Sequence, residues 1–406
     1  MHVFIAMVDQ SWLAYMYGPA LRTLREGLDA AKRRFGSHAL HYSFLLVPNL
    51  LHNLSVVGNG SSATMCGDGT RIHAGDVLIY VGVVQNWNPS RLPWQPLRAL
   101  GVRTVHLNTE PYENDAVCGR RGLIVGTDEL WEFSHRNVHV CEQYNTRHSR
   151  AQDVRYVPCG AQSLPRLAHQ PTSKAASLVL WGAIFSYRRH CWEKLGKSKA
   201  LRERMTHIYT VWNVSQLQQA LERPDYGIFL DIYKECNLNG LLTSPGQVRA
   251  PPSTGLALRM SFLGSARGLL LSSRVFWKDE QAYAGMVDFV DLPNLEAKFW
   301  ELVNMSAARR EAMAEERFQR FARAFAPEIV FERAGIFEML ERRILDQRAM
   351  GTKHGNRPLL LQTSPSVTGG ESNSPCACFL RGTHGVKIGS EHFSPTYVDL
   401  DTPISL

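Results

Sequence analysis

Tyr226-Gly-Ile-Phe-Leu-Asp231-Ile-Tyr233, the loop from Glu235 to Pro252, the segment Gly255-Leu-Ala-Leu-Arg259-Met-Ser-Phe-Leu-Gly-Ser-Ala-Arg267 and the run Gly268-Leu-Leu-Leu-Ser272 decide the fold. The first run is short, apolar and rich in β-formers, so it reads as a buried strand. The loop is crowded with Asn, Gly, Ser and Pro, which punctuate structure. Ser253 or Thr254 offers an N-cap oxygen for a helix from Gly255 to Arg267, and Gly268 closes it. Leu269 to Ser272 is a second buried strand. Strand, helix and strand make a βαβ unit, hence a parallel sheet covered on both faces. In open sheets of this kind ligands sit beyond the carboxyl ends of the strands. A helix starting near Thr254 directs unpaired N–H groups into that crevice, where a diphosphate fits. Arg259, about one turn in, has two readings at this point: a solvated or ion-paired helix residue, or a phosphate ligand.

The same alternation extends outward. Upstream lie strands at Ser177–Trp181 and His207–Val211, with helices from Ser186 to about Lys197 and from Val214 to Leu221. Downstream come a strand at Met286–Val290 and helices at Asn294–Met305, Ala307–Ala326 and Ile329–Leu345, with Pro327 interrupting the last two. Before this half stands another. Its strands are His2–Val8, His41–Val47, Gly75–Gly82, Val102–Leu107, Leu123–Val125, Val138–Cys141 and Val154–Val157. Its helices run from Pro19 to Arg34, from Trp94 to Ala99 and from Asp128 through Ser134. The fold class expected is therefore α/β, with two doubly wound Rossmann-like domains facing a cleft. Residues 1–161 form the first domain, 162–176 a linker and 177–348 the second domain. Residues 349–406, dominated by Ser, Thr, Gly and Pro without a period, form a disordered tail.

The chain has 406 residues, too many for one core. Its formal charge is +8, but no Lys/Arg block marks a nucleic-acid arm. No apolar run approaches the ~20 residues of a membrane span, and the start is too short and too soon charged for a leader. A cytoplasmic protein with eight reduced, scattered cysteines is expected. Cys376-Ala-Cys378 alone is weak ground for a metal, and none is expected. GxGxxG, P-loop, HExxH and GxSxG motifs are absent.

Three stretches resemble the CgeB-type, spore-maturation-protein-like glycosyltransferases of the two-domain GT-B fold. The first combines His106-Leu-Asn-Thr109-Glu110-Pro111, the segment Thr127-Asp-Glu-Leu-Trp131-Glu-Phe-Ser134-His-Arg-Asn137, and Arg155-Tyr156-Val157-Pro158. The second is Leu180-Trp181-Gly182 through Arg188-Arg189. The third runs from Leu258-Arg259-Met-Ser-Phe-Leu263 through Ser272 to Tyr283-Ala-Gly285-Met-Val287-Asp-Phe289-Val290. The resemblance implies sugar transfer from a nucleotide-sugar donor, as substrate, to an unknown acceptor that is a glycan, protein or small molecule. It implies no further cofactor. The donor would lie against the second domain, contacted by Gly182, Arg188, Arg189, Asp231, Tyr233, Arg259 and Ser272. Arginine suits a diphosphate because its planar fork pairs with phosphate oxygens. Glu110, after a strand end of the first domain, would serve as general base. The sequence departs from the family at Leu256, where a Glu is common, and at Asp231-Ile-Tyr233 and Ser273. A catalytically silent relative that binds a nucleotide, glycan or protein therefore stands as the alternative. A nucleotide-binding enzyme of another chemistry is a third reading.

Overall fold

The computed structural model describes residues 1–8, 11–47, 62–64, 71–82, 94–109, 118, 126–164, 166–167, 174–181, 186–208, 222–223, 225–232 and 256–353. The first unit runs β1 (His2–Val8), α1 (Ser11–Phe35), β2 (His41–Val47), β3 (Ser62–Thr64), β4 (Arg71–His73), β5 (Val77–Gly82), α2 (Trp94–Ala99), β6 (Arg103–Asn108), β7 (Glu129–Glu132), α3 (His135–Arg147) and β8 (Asp153–Tyr156). Six of these strands form one parallel sheet in the order β2-β1-β5-β6-β7-β8, while β3 and β4 pair antiparallel. The second unit runs β9 (Leu178–Trp181), α4 (Ser186–Leu195), α5 (Lys199–Arg202), β10 (Met205–Ile208), β11 (Ile228–Asp231), α6 (Leu256–Arg259), β12 (Leu269–Ser273), α7 (Trp277–Ala282), β13 (Val287–Val290) and α8 (Leu292–Asn304). Its parallel sheet has the order β10-β9-β11-β12-β13. Three helices complete the described chain: α9 (Ala307–Ala324), α10 (Pro327–Arg333) and α11 (Ile336–Lys353). The two parallel α/β sheets expected from the sequence are present.

Burial explains the strand sequences. Every residue of β5 is buried, as a central parallel strand covered by helices requires. In the second sheet the two faces separate with period two. Val179, Phe229 and Leu270 enter one apolar cluster, whereas Leu178, Leu180, Ile228, Leu230, Leu269 and Leu271 enter another. The first of these clusters is shared between the units. It runs from Val3, Ile5 and Leu24 through Trp131 and Val157 to Val179, Phe229 and Met260, and on to Phe331 and Phe337.

The last helices return to the first unit. Phe331 of α10 packs on Gly27 of α1, where an added Cβ would lie 2.2 Å from the ring. Arg155 Nη1 donates to the carbonyls of Ala334 and Gly335, both at 2.8 Å. Gln347 of α11 donates to the carbonyl of Ala74 at 3.3 Å.

Several expectations need correction. Glu129-Leu-Trp-Glu132 is a fully buried strand, and the helix begins after it, with Ser134 as N-cap. Its acidic ends mimic a helix start, but Arg103 and Arg155 hold Glu129 inside, with contacts of 2.9 and 2.8 Å. Val138 to Cys141 belongs to α3 rather than to a strand. Helix α1 starts at Ser11, with Pro19 inside it. Strand β10 lies at Met205–Ile208, earlier than His207–Val211, and the end of that expected strand falls outside the described residues. The expected helix Gly255–Arg267 is α-helical over Leu256–Arg259 and then becomes a π-helical turn over Met260–Gly264. Cys118 and Cys141 form a disulfide, so the cysteines are not all reduced. Leu130 and Val140 enclose it. The expected strand Leu123–Val125, the helix Val214–Leu221, the loop Glu235–Pro252 and the tail beyond Lys353 lie outside the described residues.

Candidate functional site

Strands β9, β11 and β12 are neighbours, and their carboxyl ends place Trp181, Asp231 and Ser273 along one edge. Asp231 is 1% exposed. An unpaired carboxylate there would be costly, so a cation must face it. Arg259 supplies that cation: its Nη1 meets Asp231 Oδ1, and its Nε donates to the Trp181 carbonyl at 3.4 Å. One guanidinium thus joins the ends of two adjacent strands. It sits at the point where α6 gives way to the π-helical turn, an irregularity often found at functional sites. From α4, Arg188 Nε donates to the Ile232 carbonyl at 3.0 Å, one residue beyond Asp231. The structure therefore brings Arg188, Asp231 and Arg259 together.

The other expected residues divide. Ser272 pairs in register with Asp231 but is buried, and its hydroxyl donates to the Ser273 carbonyl at 2.9 Å. Arg189 is exposed on α4. Gly182, Tyr233 and Glu110 lie outside the described residues. Leu256 opens α6, at the place where the resembling family carries an acid.

A polar cluster that the sequence reading missed stands at the corresponding edge of the first sheet. Strand β6 ends at Asn108 and β7 at Glu132, in register with each other. Glu132 Oε2 accepts from Asn108 Nδ2 and from Asn137 Nδ2, each at 2.9 Å, and all three residues are fully buried. A signal was available: Glu132 interrupts the apolar run between Trp131 and Phe133. Beside it, Asn108, Thr109 and Phe133 line a cavity of about 10 Å³ that Leu258, the residue before Arg259, also lines. The carboxyl end of β6 therefore lies beside the helix that carries Arg259. His106, fully buried on β6, shares its Nε2 with the Gly82 carbonyl at 3.2 Å, and burial lowers its pKa to about 4, so its ring is neutral.

The seam is closed by Asp279 of α7. Its carboxylate accepts from Ser134 Oγ at 2.8 Å and from the backbone N–H groups of His135 at 2.7 Å and Arg136 at 3.3 Å. A side chain of the second unit thus caps a helix of the first, answering the unpaired N–H groups of α3. Burial nevertheless pushes the Asp279 carboxyl up to about 6, against those hydrogen bonds and Arg136. Around it His135 stacks on Tyr156 at 3.6 Å, and Tyr283 stacks on Phe325 at 4.8 Å.

No protein-family model matches the chain, and no curated protein matches it. Solved structures resemble it in backbone. The E. coli trehalose-6-phosphate structure bound with UDP-2-fluoro glucose has a TM-score of 0.49 at 9% identity, covering 84% of this chain and 99% of that one. The lipopolysaccharide outer core galactosyltransferase WaaB, in its apo form, has a TM-score of 0.44 at 9% identity, covering 86% of this chain and 100% of that one. WaaG, a glycosyltransferase of lipopolysaccharide biosynthesis, has a TM-score of 0.41 at 12% identity, covering 83% and 99%. Among the described residues, no helix is long and apolar enough to cross a membrane, and no group of three or more His, Cys, Asp or Glu side chains is placed to hold a metal ion.

Proposed function

We propose that this chain is a GT-B-type glycosyltransferase, of the CgeB-like kind its motifs resemble, which moves a sugar from a nucleotide-sugar donor to an acceptor held by the first unit. The observation that carries the proposal is the pair Arg188 and Arg259 at the carboxyl edge of the second sheet, with Arg259 fixed by the buried Asp231. Sugar transfer breaks the bond from the anomeric carbon to the diphosphate oxygen, and that electron pair leaves with the diphosphate. Guanidinium groups held in place beforehand stabilise this developing charge without rearrangement. The acceptor hydroxyl forms the new bond, and its proton passes to a base; Glu110 is the candidate from the resemblance. Asp231 in this reading positions Arg259 rather than touching the donor.

The second reading is a catalytically silent relative that binds a nucleotide, glycan or protein partner without transferring sugar. Leu256 favours it, because leucine cannot accept a hydrogen bond from a donor hydroxyl.

Thermal-shift titration with UDP, GDP, ADP and their sugar conjugates tests the proposal. A ligand that binds only the folded chain raises the melting temperature by mass action. One nucleoside diphosphate is expected to do so, and Arg188→Ala to weaken it roughly tenfold, the loss of one charge-assisted contact. Donor binding without sugar release in the presence of acceptor libraries selects the silent reading. No shift with any nucleotide, in a folded sample, overturns the transferase reading and selects the silent relative that binds a glycan or protein.

A further inference from the structure

The positive charge of this chain is concentrated in one stretch. Residues 154–221 carry ten Lys and Arg against Glu193 and Glu203, a net of +8, and +8 is also the formal charge of the whole chain. The remaining residues therefore balance, with 35 basic and 35 acidic side chains. The fold gathers much of that surplus at the amino edge of the second sheet, where β9 and β10 begin side by side. Helix α4 delivers Lys194 in its last turn, Lys197 follows in the connection, and α5 carries Lys199 and Arg202. Backbone N–H groups of Lys197, Ser198 and Arg202 donate to the carbonyls of Lys194, Leu195 and Ser198, at 3.4, 3.4 and 2.9 Å. The run from Lys194 to Arg202 is thus a corner of consecutive turns. Arg204 donates to the carbonyls of Lys174 and Ala176, which brings Lys174 to the same corner.

Lys174, Lys194, Lys197, Lys199 and Arg202 are all exposed. Among the described residues none of the five has a salt-bridge partner. Exposed cations elsewhere do: Arg166 meets Glu315 at 2.9 Å, and Arg320 meets Glu316 at 2.8 Å. Three acids adjoin the corner, Glu193, Glu203 and Glu296, against six cations with Arg204 included. Glu296 is held by Ser198 Oγ at 2.5 Å and Trp300 Nε1 at 3.3 Å, so it does not reach out to the lysines. On the turn before β11, Asp225 is neutralised by Arg223 at 3.0 Å. One lysine in the last turn of α4 would answer that helix's own dipole; the others have no such task.

We propose that this corner docks the chain reversibly on a membrane surface that bears anionic headgroups. Lysine suits a plane of diffuse charge, because its ammonium rides on a flexible stem and asks for no fixed geometry. A nucleic acid fits less well: Trp192 packs against the second apolar cluster instead of offering a ring on which a base could stack. None of the five residues belongs to the candidate donor site.

Co-sedimentation of the full chain with vesicles of phosphatidylcholine, alone or mixed with phosphatidylglycerol, tests the proposal. Binding to the mixed vesicles is expected at ~0.1 M salt and should vanish near ~1 M, where the screening length falls to about 3 Å. Lys194→Gln, Lys197→Gln and Lys199→Gln should each weaken it about fivefold and leave the nucleotide shift unchanged. A control triple variant at exposed cations elsewhere, Arg309→Gln with Arg323→Gln and Arg342→Gln, should bind as the parent does. If the lysine variants do not fold, protection of Lys194, Lys197 and Lys199 in the parent chain from amine acetylation by mixed vesicles decides the question. No binding to mixed vesicles, equal binding to neutral ones, an equal loss in the control, absent protection, or binding to a uridine oligonucleotide in place of vesicles overturns the proposal.

Discussion

Arg259 and Asp231 show how much one contact decides. The carboxylate is 1% exposed, and the arginine side chain 15%. Arg259→Ala strands a buried charge, so a loss of about 3 kcal/mol in unfolding free energy is expected, measured by urea titration. The double variant Arg259→Ala with Asp231→Asn should recover part of that loss, because no charge is left unpaired. An Arg259→Ala chain as stable as its parent would return the residue to the solvated reading that the sequence left open. Asp279 makes a pH prediction. Its pKa is raised on folding from 3.8 to about 6, chiefly by burial. The folded chain therefore holds this proton more tightly than the unfolded chain. The stability linked to it is complete below about pH 4 and is lost as pH rises through about 6. Relative to Asp279→Asn, which can still accept from Ser134, the parent should lose about 2 kcal/mol between pH ~4.5 and ~7.5. A difference independent of pH would show that the carboxyl titrates normally.

At the scale of elements, legibility followed the range of the interactions. Val77 to Gly82 and Leu269 to Ser273 could be read as strands because every residue is buried, which leaves a plain apolar run. Glu129 to Glu132 could not. Its burial depends on Arg103 and Arg155, 26 residues away on either side, and no local pattern carries that pairing. The start of α3 was obscured for the same reason, since Ser134 shares its capping role with Asp279, 145 residues further on. At the candidate site, Arg259 and Arg188 were legible as arginines near strand ends. That Arg259 turns to Asp231 was not, because the contact depends on how β11 and β12 pair. The π-helical turn after Arg259 has no periodic signature that would distinguish it from an ordinary helix.

The whole molecule is tied together more tightly than two sheets in sequence would suggest. One apolar cluster spans both units, and α10 and α11 come back to close it. Gly27 tests this closure. In an isolated helix, Gly→Ala stabilises by about 1 kcal/mol. Here the new methyl would meet the fully buried Phe331 ring at 2.2 Å, so Gly27→Ala should instead destabilise by about 1–3 kcal/mol, seen as a lower melting temperature. A higher melting temperature would show that the junction is loose. The returning helices also set a timetable for the chain as it is made. The first sheet is finished at Tyr156, yet its partners Phe331, Ala334 and Gln347 are made much later. At roughly 5–20 residues per second the nascent first unit waits on the order of ten to forty seconds on the ribosome before its outer surface is covered. Its bare α1 surface is then open to chaperones, and a message truncated before codon 331 would yield a product that degradation machinery can recognise.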